Sequence, residues 1–121
     1  MKTCLIVDDS EPLRSIAAKI VSALGLRVSE AGDGAAALAI CRDRMPDAIL
    51  LDWNMPVMSG IEFLKALGRE ARPLPPVIFC SGESSVRHLQ EAIAAGAADY
   101  VMKPFDRDVL AAKLRDAGLI G

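Results

Sequence analysis

Ala48-Ile49-Leu50-Leu51-Asp52 decides the fold: four apolar residues in an unbroken run, preceded by Met45-Pro46 and closed by an acid. Such a run, with no polar alternation, reads as a strand covered on both faces, and strands of that kind sit at the centre of parallel sheets. The pattern recurs on either side of it. Leu5-Ile6-Val7 runs into Asp8-Asp9, Val77-Ile78-Phe79-Cys80 into Ser81, and Tyr100-Val101-Met102 into Lys103. If all four runs are parallel strands, their polar terminators collect along one carboxyl edge, where open α/β folds bind ligands. Residues from opposite ends of the chain then meet in one pocket.

The intervening segments read as helices. Ser10 is a helix N-cap followed by Glu11-Pro12, which suit a first turn. Leu13, Ile16, Ala17, Ile20, Val21 and Leu24 recur at three and four and form one apolar face, and Gly25 stops the helix. A short second strand is expected around Arg27 to Glu30. Asp33 or Gly34 opens an alanine-rich helix reaching about Arg42, and Ser59-Gly60 opens a third reaching about Leu67. Arg72-Pro73-Leu74-Pro75-Pro76 is a stiff loop that places Pro76 at the start of the fourth strand. Ser84 or Ser85 caps a fourth helix whose Val86, Leu89, Ile93 and Ala97 are expected to face inward, with Gly96 near its end. Asp99 to Met102 is the fifth strand. Asp106 caps a last helix with Val109, Leu110 and Leu114 as its buried stripe and Gly118 as its terminator.

Five strands alternating with five helices imply a doubly wound α/β domain, a parallel sheet covered on both faces and joined by right-handed crossovers. The alternation leaves the strand order open. At 121 residues the expectation is one domain spanning 1–121, without repeats or an internal linker. Hydrophobic residues at 52% and charged ones at 25% describe a globular chain, and a net charge of -2 argues against a general affinity for nucleic acid or anionic membranes. Three cysteines, Cys4, Cys41 and Cys80, lack a C-x-x-C spacing and suggest neither a disulfide framework nor a zinc cluster. With no signal-peptide pattern after Met1 and no apolar stretch of membrane-spanning length, the expected location is the cytoplasm.

Asp8-Asp9-Ser10, Asp52-Trp53-Asn54-Met55-Pro56-Val57-Met58-Ser59-Gly60, Ser81-Gly82 and Lys103-Pro104-Phe105, in this order and spacing, resemble the receiver domain of two-component response regulators over the entire chain. The resemblance implies the flavodoxin-like strand order 2-1-3-4-5. It implies that Asp52 is the nucleophile, taking a phosphoryl group from a histidine kinase or histidine phosphotransfer protein. It implies Mg²⁺ held by Asp9 and Asp52, by the backbone carbonyl of Asn54, and by Asp8 directly or through water. Oxygen-only ligands suit that ion, and three clustered carboxylates need a cation. Lys103 and the Ser81 hydroxyl would bind phosphoryl oxygens, with a cis Lys103-Pro104 peptide aiming the amine. Ser81 and Tyr100 would form the switch, read out at the face of the fourth helix, fifth strand and fifth helix by a downstream protein. Asn54 and Glu83 would tune dephosphorylation. The chain would then promote its own phosphorylation and dephosphorylation without turning over an external substrate, as a monomer or a weak phosphorylation-dependent dimer.

Serine stands at 81 where threonine is commoner in the family, and Pro104-Phe105-Asp106-Arg107 resembles the P-F-x-R signature of a subgroup of single-domain receivers. The leading expectation is therefore a stand-alone receiver controlling binding to another protein. The alternative is a phosphorelay intermediate or phosphate sink without an output partner, and a partner selective for the phosphorylated form separates the two. A phosphohydrolase with an aspartyl nucleophile would need a D-x-D at the first strand and a cap, where this chain has adjacent aspartates. A flavin binder is disfavoured by the acidic turn Asp8-Asp9-Ser10-Glu11-Pro12. Trp53 is expected at the pocket rim, His88 on the solvated side of its helix, and Cys80 in packing. Arg42-Asp43-Arg44 reads as a charged helix end, and Arg107 as a shaper of the output face.

Overall fold

In the computed structural model, which describes residues 1–71, 73–82 and 86–121, the strands β1 (Thr3–Val7), β2 (Arg27–Ala31), β3 (Ala48–Asp52), β4 (Val77–Ser81) and β5 (Asp99–Met102) form one parallel sheet. Their order is β2-β1-β3-β4-β5, with the wholly buried β3 at the centre. They alternate with α1 (Glu11–Ala23), α2 (Gly34–Asp43), α3 (Gly60–Glu70), α4 (Val86–Ala94) and α5 (Arg107–Asp116).

The two-residue period of a strand sorts the core into two halves. Leu5, Val7, Ile49, Leu51, Val77 and Phe79 face α2, α3 and the Ala92 of α4. Cys4, Ile6, Ala48, Leu50, Ile78 and Cys80 face α1 and α5, against Ala17, Val21, Leu110 and Leu114. Helix starts follow side-chain caps: Ser10 accepts from Leu13 N, Asp33 from Ala36 N at 2.8 Å and Asp106 from Val109 N at 2.9 Å. Ser59 and Glu62 form a reciprocal capping box on α3. Gly25, Gly96 and Gly118 take the left-handed conformation after α1, α4 and α5, as expected of helix terminators. The expected caps Ser84 and Ser85 lie outside the described residues.

Three apolar stripes point differently from expectation. On α1, Ala17 and Val21 meet the sheet, while Leu13 (47% exposed) and Ile16 (54%) stand at its open flank beside Phe105. On α5, Leu110 and Leu114 are buried but Val109 is exposed. On α4 the stripe is inverted: Val86, Leu89 and Ile93 lie in solvent, and Ala92 is the buried residue of the helix. Ala97, beyond the helix, does pack on the core as expected. Periodicity reports which residues share a face, not which face the sheet covers.

A direct consequence concerns stability. Leu89→Gln and Ile93→Gln are expected to change unfolding free energy by less than about 0.5 kcal/mol in denaturant titrations, as surface substitutions do. Losses of about 2–5 kcal/mol, the range for emptied core sites, would place the stripe inside the protein instead.

Candidate phosphoryl-acceptor site

The carboxyl edge of the sheet carries the polar terminators in register: β1 ends beside β3 at Val7 and Leu51, Asp52 pairs with Cys80, and Ser81 with Met102. Asp8 and Asp52, 6% and 8% exposed, and Ser81, at 1%, are the buried polar residues among those described. One carboxylate oxygen from each of Asp8, Asp9 and Asp52 lies within 4.8 Å of the other two. Lys103, from the turn after β5, donates through Nζ to Asp8 Oδ2 and Asp52 Oδ1, both at 3.0 Å. Its backbone N–H bonds the Ser81 carbonyl at 2.7 Å, and the Lys103–Pro104 peptide is cis.

The charges do not balance. Three carboxylates face one ammonium, leaving two negative charges in a partly buried cluster of hard oxygen donors. That deficit and donor chemistry fit a small divalent cation such as Mg²⁺. The same crowding acts on Asp52. Burial pushes the Asp52 carboxyl above the ordinary carboxylate range, Lys103 opposes this, and Asp8 and Asp9 add to it. Burial draws the Lys103 amine downward, but its bonds to Asp52 and Asp8 prevail and hold it above its usual value, so it stays charged.

The β1–α1 turn that presents Asp8 and Asp9 is tied down by main-chain contacts. Ser10 N donates to Asp8 Oδ1 at 2.9 Å, and Asp8 N donates to the Ala31 carbonyl at 3.1 Å. Arg14 completes the tie: Nη1 donates to the Asp8 carbonyl at 2.8 Å, and Nε pairs with Glu30 Oε1 at 3.1 Å. Sequence reasoning did not select Arg14. Its position on the first turns of α1 is the only signal, and the bond to a backbone carbonyl has no signature in residue types.

Beyond β3, Asn54 is exposed in the turn that follows Asp52. Val57 in the same turn has φ 69° and is 95% exposed. A β-branched residue in the left-handed region is strained and here has no packing to compensate it. Val57→Asn is therefore expected to stabilise the fold by about 1 kcal/mol in denaturant titrations; a loss of stability would contradict that strain.

Trp53 is buried, not rimmed by solvent as expected, at 8% exposure. Its indole stacks on His88 with ring centroids 4.4 Å apart and planes 14° from parallel. His88 is thus not the solvated residue that its place off the apolar stripe suggested, because the inverted α4 turns that side inward. Tyr100 is half-buried, its ring edge-on to Trp53 at 6.4 Å. Glu83, expected to tune dephosphorylation, lies outside the described residues. Cys80 packs in the core, burial pushing its thiol up to about 12.

A parallel β2-β1-β3-β4-β5 sheet with aspartates at the ends of β1 and β3 and a lysine after β5 is the arrangement expected of a receiver domain. The response regulator receiver domain profile matches residues 4–115, and the chain belongs to that family. It is 38% identical over 112 residues to the chemotaxis protein CheY of Pseudomonas aeruginosa, covering 91% of this chain and 90% of that protein. It is 37% identical over 115 residues to the phosphate regulon transcriptional regulatory protein PhoB of the same organism, covering 94% of this chain and 50% of PhoB. The chain thus spans about half the length of that regulator. Among solved structures, Vibrio cholerae CheY4 superposes with a TM-score of 0.91 at 35% identity, covering 97% of this chain and 98% of that one. The receiver domain of NtrX from Brucella abortus gives 0.88 at 32%, covering 94% and 96%. Among the described residues, no helix is long and apolar enough to cross a membrane.

Proposed function

We propose that the protein takes a phosphoryl group on Asp52 and so controls its binding to another protein. The observation that carries this is the Lys103 ammonium bridging Asp8 and Asp52 at 3.0 Å to each, within a cluster that retains two uncompensated negative charges. An Asp52 carboxylate oxygen attacks the phosphorus of a phosphohistidine on a kinase or phosphotransfer protein. The P–N bond breaks, its electron pair stays with the imidazole, and an acyl phosphate forms on Asp52. Lys103 exchanges a carboxylate contact for a phosphoryl oxygen, and the Ser81 hydroxyl donates to another. Asp9, Asp52, the Asn54 carbonyl and, directly or through water, Asp8 would hold Mg²⁺, which would supply charge neutralisation at the phosphoryl oxygens. Asn54 and Glu83 set how readily water reaches the acyl phosphate.

The surfaces divide accordingly. A cleft of about 340 Å³ lined by Leu13, Ile16, Pro104 and Phe105 shares Asp8 and Lys103 with the site, so a protein donor covering it brings its phosphohistidine to Asp52. On the other flank, the exposed Val86, Leu89 and Ile93 of α4, Met102 of β5 and Val109 of α5 form the apolar face offered to the downstream partner. Ser81 and Tyr100 shift the population between two arrangements of that face, to the extent that the phosphoryl group binds one better. The test is transfer from a phosphorylated histidine phosphotransfer domain to this protein, followed on both chains. Label should move to the wild type and not to Asp52→Asn; equal labelling of both would place the acceptor elsewhere.

A further inference from the structure

Asp52 and α4 are joined by a short path of rings. The residue after the nucleophile, Trp53, is held on both sides of its peptide: its N–H donates to the Cys80 carbonyl at 3.1 Å, and its carbonyl accepts from Gly60 N at 3.0 Å. Its indole cannot shift far without disturbing the end of β3. That indole is wedged among Phe79 (centroids 5.0 Å apart, planes at 53°), the edge of Tyr100 and the flat face of His88. From the helix side, the large aliphatic residues Val86, Leu89 and Ile93 point into solvent, and Ala92 offers only a methyl group to the core. Among the described residues of α4, His88 is the ring that meets the core, and it meets it on Trp53.

We propose that His88 is a positioning residue: its stack on Trp53 seats α4 and couples the state of Asp52 to the exposed apolar face of that helix. The coupling rests on the receiver reading above; the seating does not. A helix that buries little else moves when this contact is lost, and a rigid indole next to the nucleophile carries displacement in either direction, as linkage between two sites requires. An aromatic ring at 88 can make the stack, and a methyl group cannot.

The test uses the full chain as wild type, His88→Ala and His88→Phe, with hydrogen exchange of backbone amides and the emission of Trp53, the single tryptophan. Without any phosphodonor, His88→Ala should speed exchange across α4 about fivefold to tenfold, leave β1 and β3 protected, and shift Trp53 emission to the red. His88→Phe should restore both. Unchanged α4 exchange and emission in His88→Ala, or failure of His88→Phe to restore them while β1 and β3 stay protected, would overturn the seating.

With acetyl phosphate and Mg²⁺, intact mass reports the phosphoryl group independently of α4. The expected result is that wild type and His88→Phe change α4 exchange on phosphorylation, while His88→Ala takes up the group and shows that change reduced at least about threefold. An undiminished change in His88→Ala would overturn the coupling alone. A wild type that gains no mass would overturn the receiver reading and the coupling with it, and the donor-free measurements would still decide the seating.

Discussion

Asp52→Asn should raise the melting temperature while ending phosphoryl uptake. Burial and the neighbouring Asp8 and Asp9 disfavour the ionised Asp52 carboxyl in the fold, so its affinity for protons is raised relative to the unfolded chain. A raised carboxylate contributes stability that is complete below its unfolded value, near 3.9, and is lost as pH climbs through the folded value. At neutral pH the wild type therefore carries the cost of a buried charge. An amide of the same shape removes that cost and still accepts from Lys103. The expected gain is about 1 kcal/mol, or about 3–5 °C in Tm at neutral pH, shrinking as the pH is lowered toward 4. With Asp52 as the proposed acceptor, uptake from a phosphodonor should fall by about three orders of magnitude or more. Calorimetry checks the gain and intact mass after acetyl phosphate checks the loss; in the calorimeter, added Mg²⁺ should stabilise the wild type and have little effect on the variant. A variant less stable than wild type at neutral pH would show that the bond to Lys103 outweighs the repulsion.

Gly60→Ala should cost about 3 kcal/mol and disable the site from behind. A Cβ at position 60 would fall inside contact distance of the Asp52 carbonyl and 2.7 Å from Phe79 Cε1. Neither neighbour can yield cheaply: one is the backbone of the central strand, the other a wholly buried ring. Overpacking of this kind is relieved only by moving α3 off the strand end. The expected drop in Tm is about 10 °C. In protein that remains folded, displacement of Asp52 by a fraction of an ångström should slow phosphoryl uptake by about tenfold to a hundredfold. Gly34→Ala is a useful contrast, because the atoms its Cβ would meet belong to the flexible Met58 side chain. A Gly60→Ala protein with wild-type Tm and uptake would mean that α3 adjusts freely.

These two positions show how unevenly the molecule is written in its residues. The apolar runs were legible because strands buried on both faces admit no polar residue until they end, so Leu51-Asp52 and Cys80-Ser81 mark the sheet edge by themselves. Caps and terminators were legible because Ser10, Asp33, Ser59 and Asp106 satisfy local backbone donors. The strand order came from resemblance, since alternation alone does not rank strands. Gly60 reads in the sequence as a helix start, and nothing local reveals that β3 passes too close for a side chain. The α4 stripe misleads for the same reason: Val86, Leu89 and Ile93 do share a face, but it is His88 and Ala92 that meet the core. Tertiary contacts between elements decide such matters, and those contacts join residues far apart in the chain.

The most direct test of the account is intact mass after incubation with acetyl phosphate, with and without Mg²⁺, followed by fragmentation to locate any added group. A single phosphoryl group is expected on Asp52, forming with Mg²⁺ and not after its chelation. A group on any other residue, uptake indifferent to Mg²⁺, or no uptake by folded protein would contradict it.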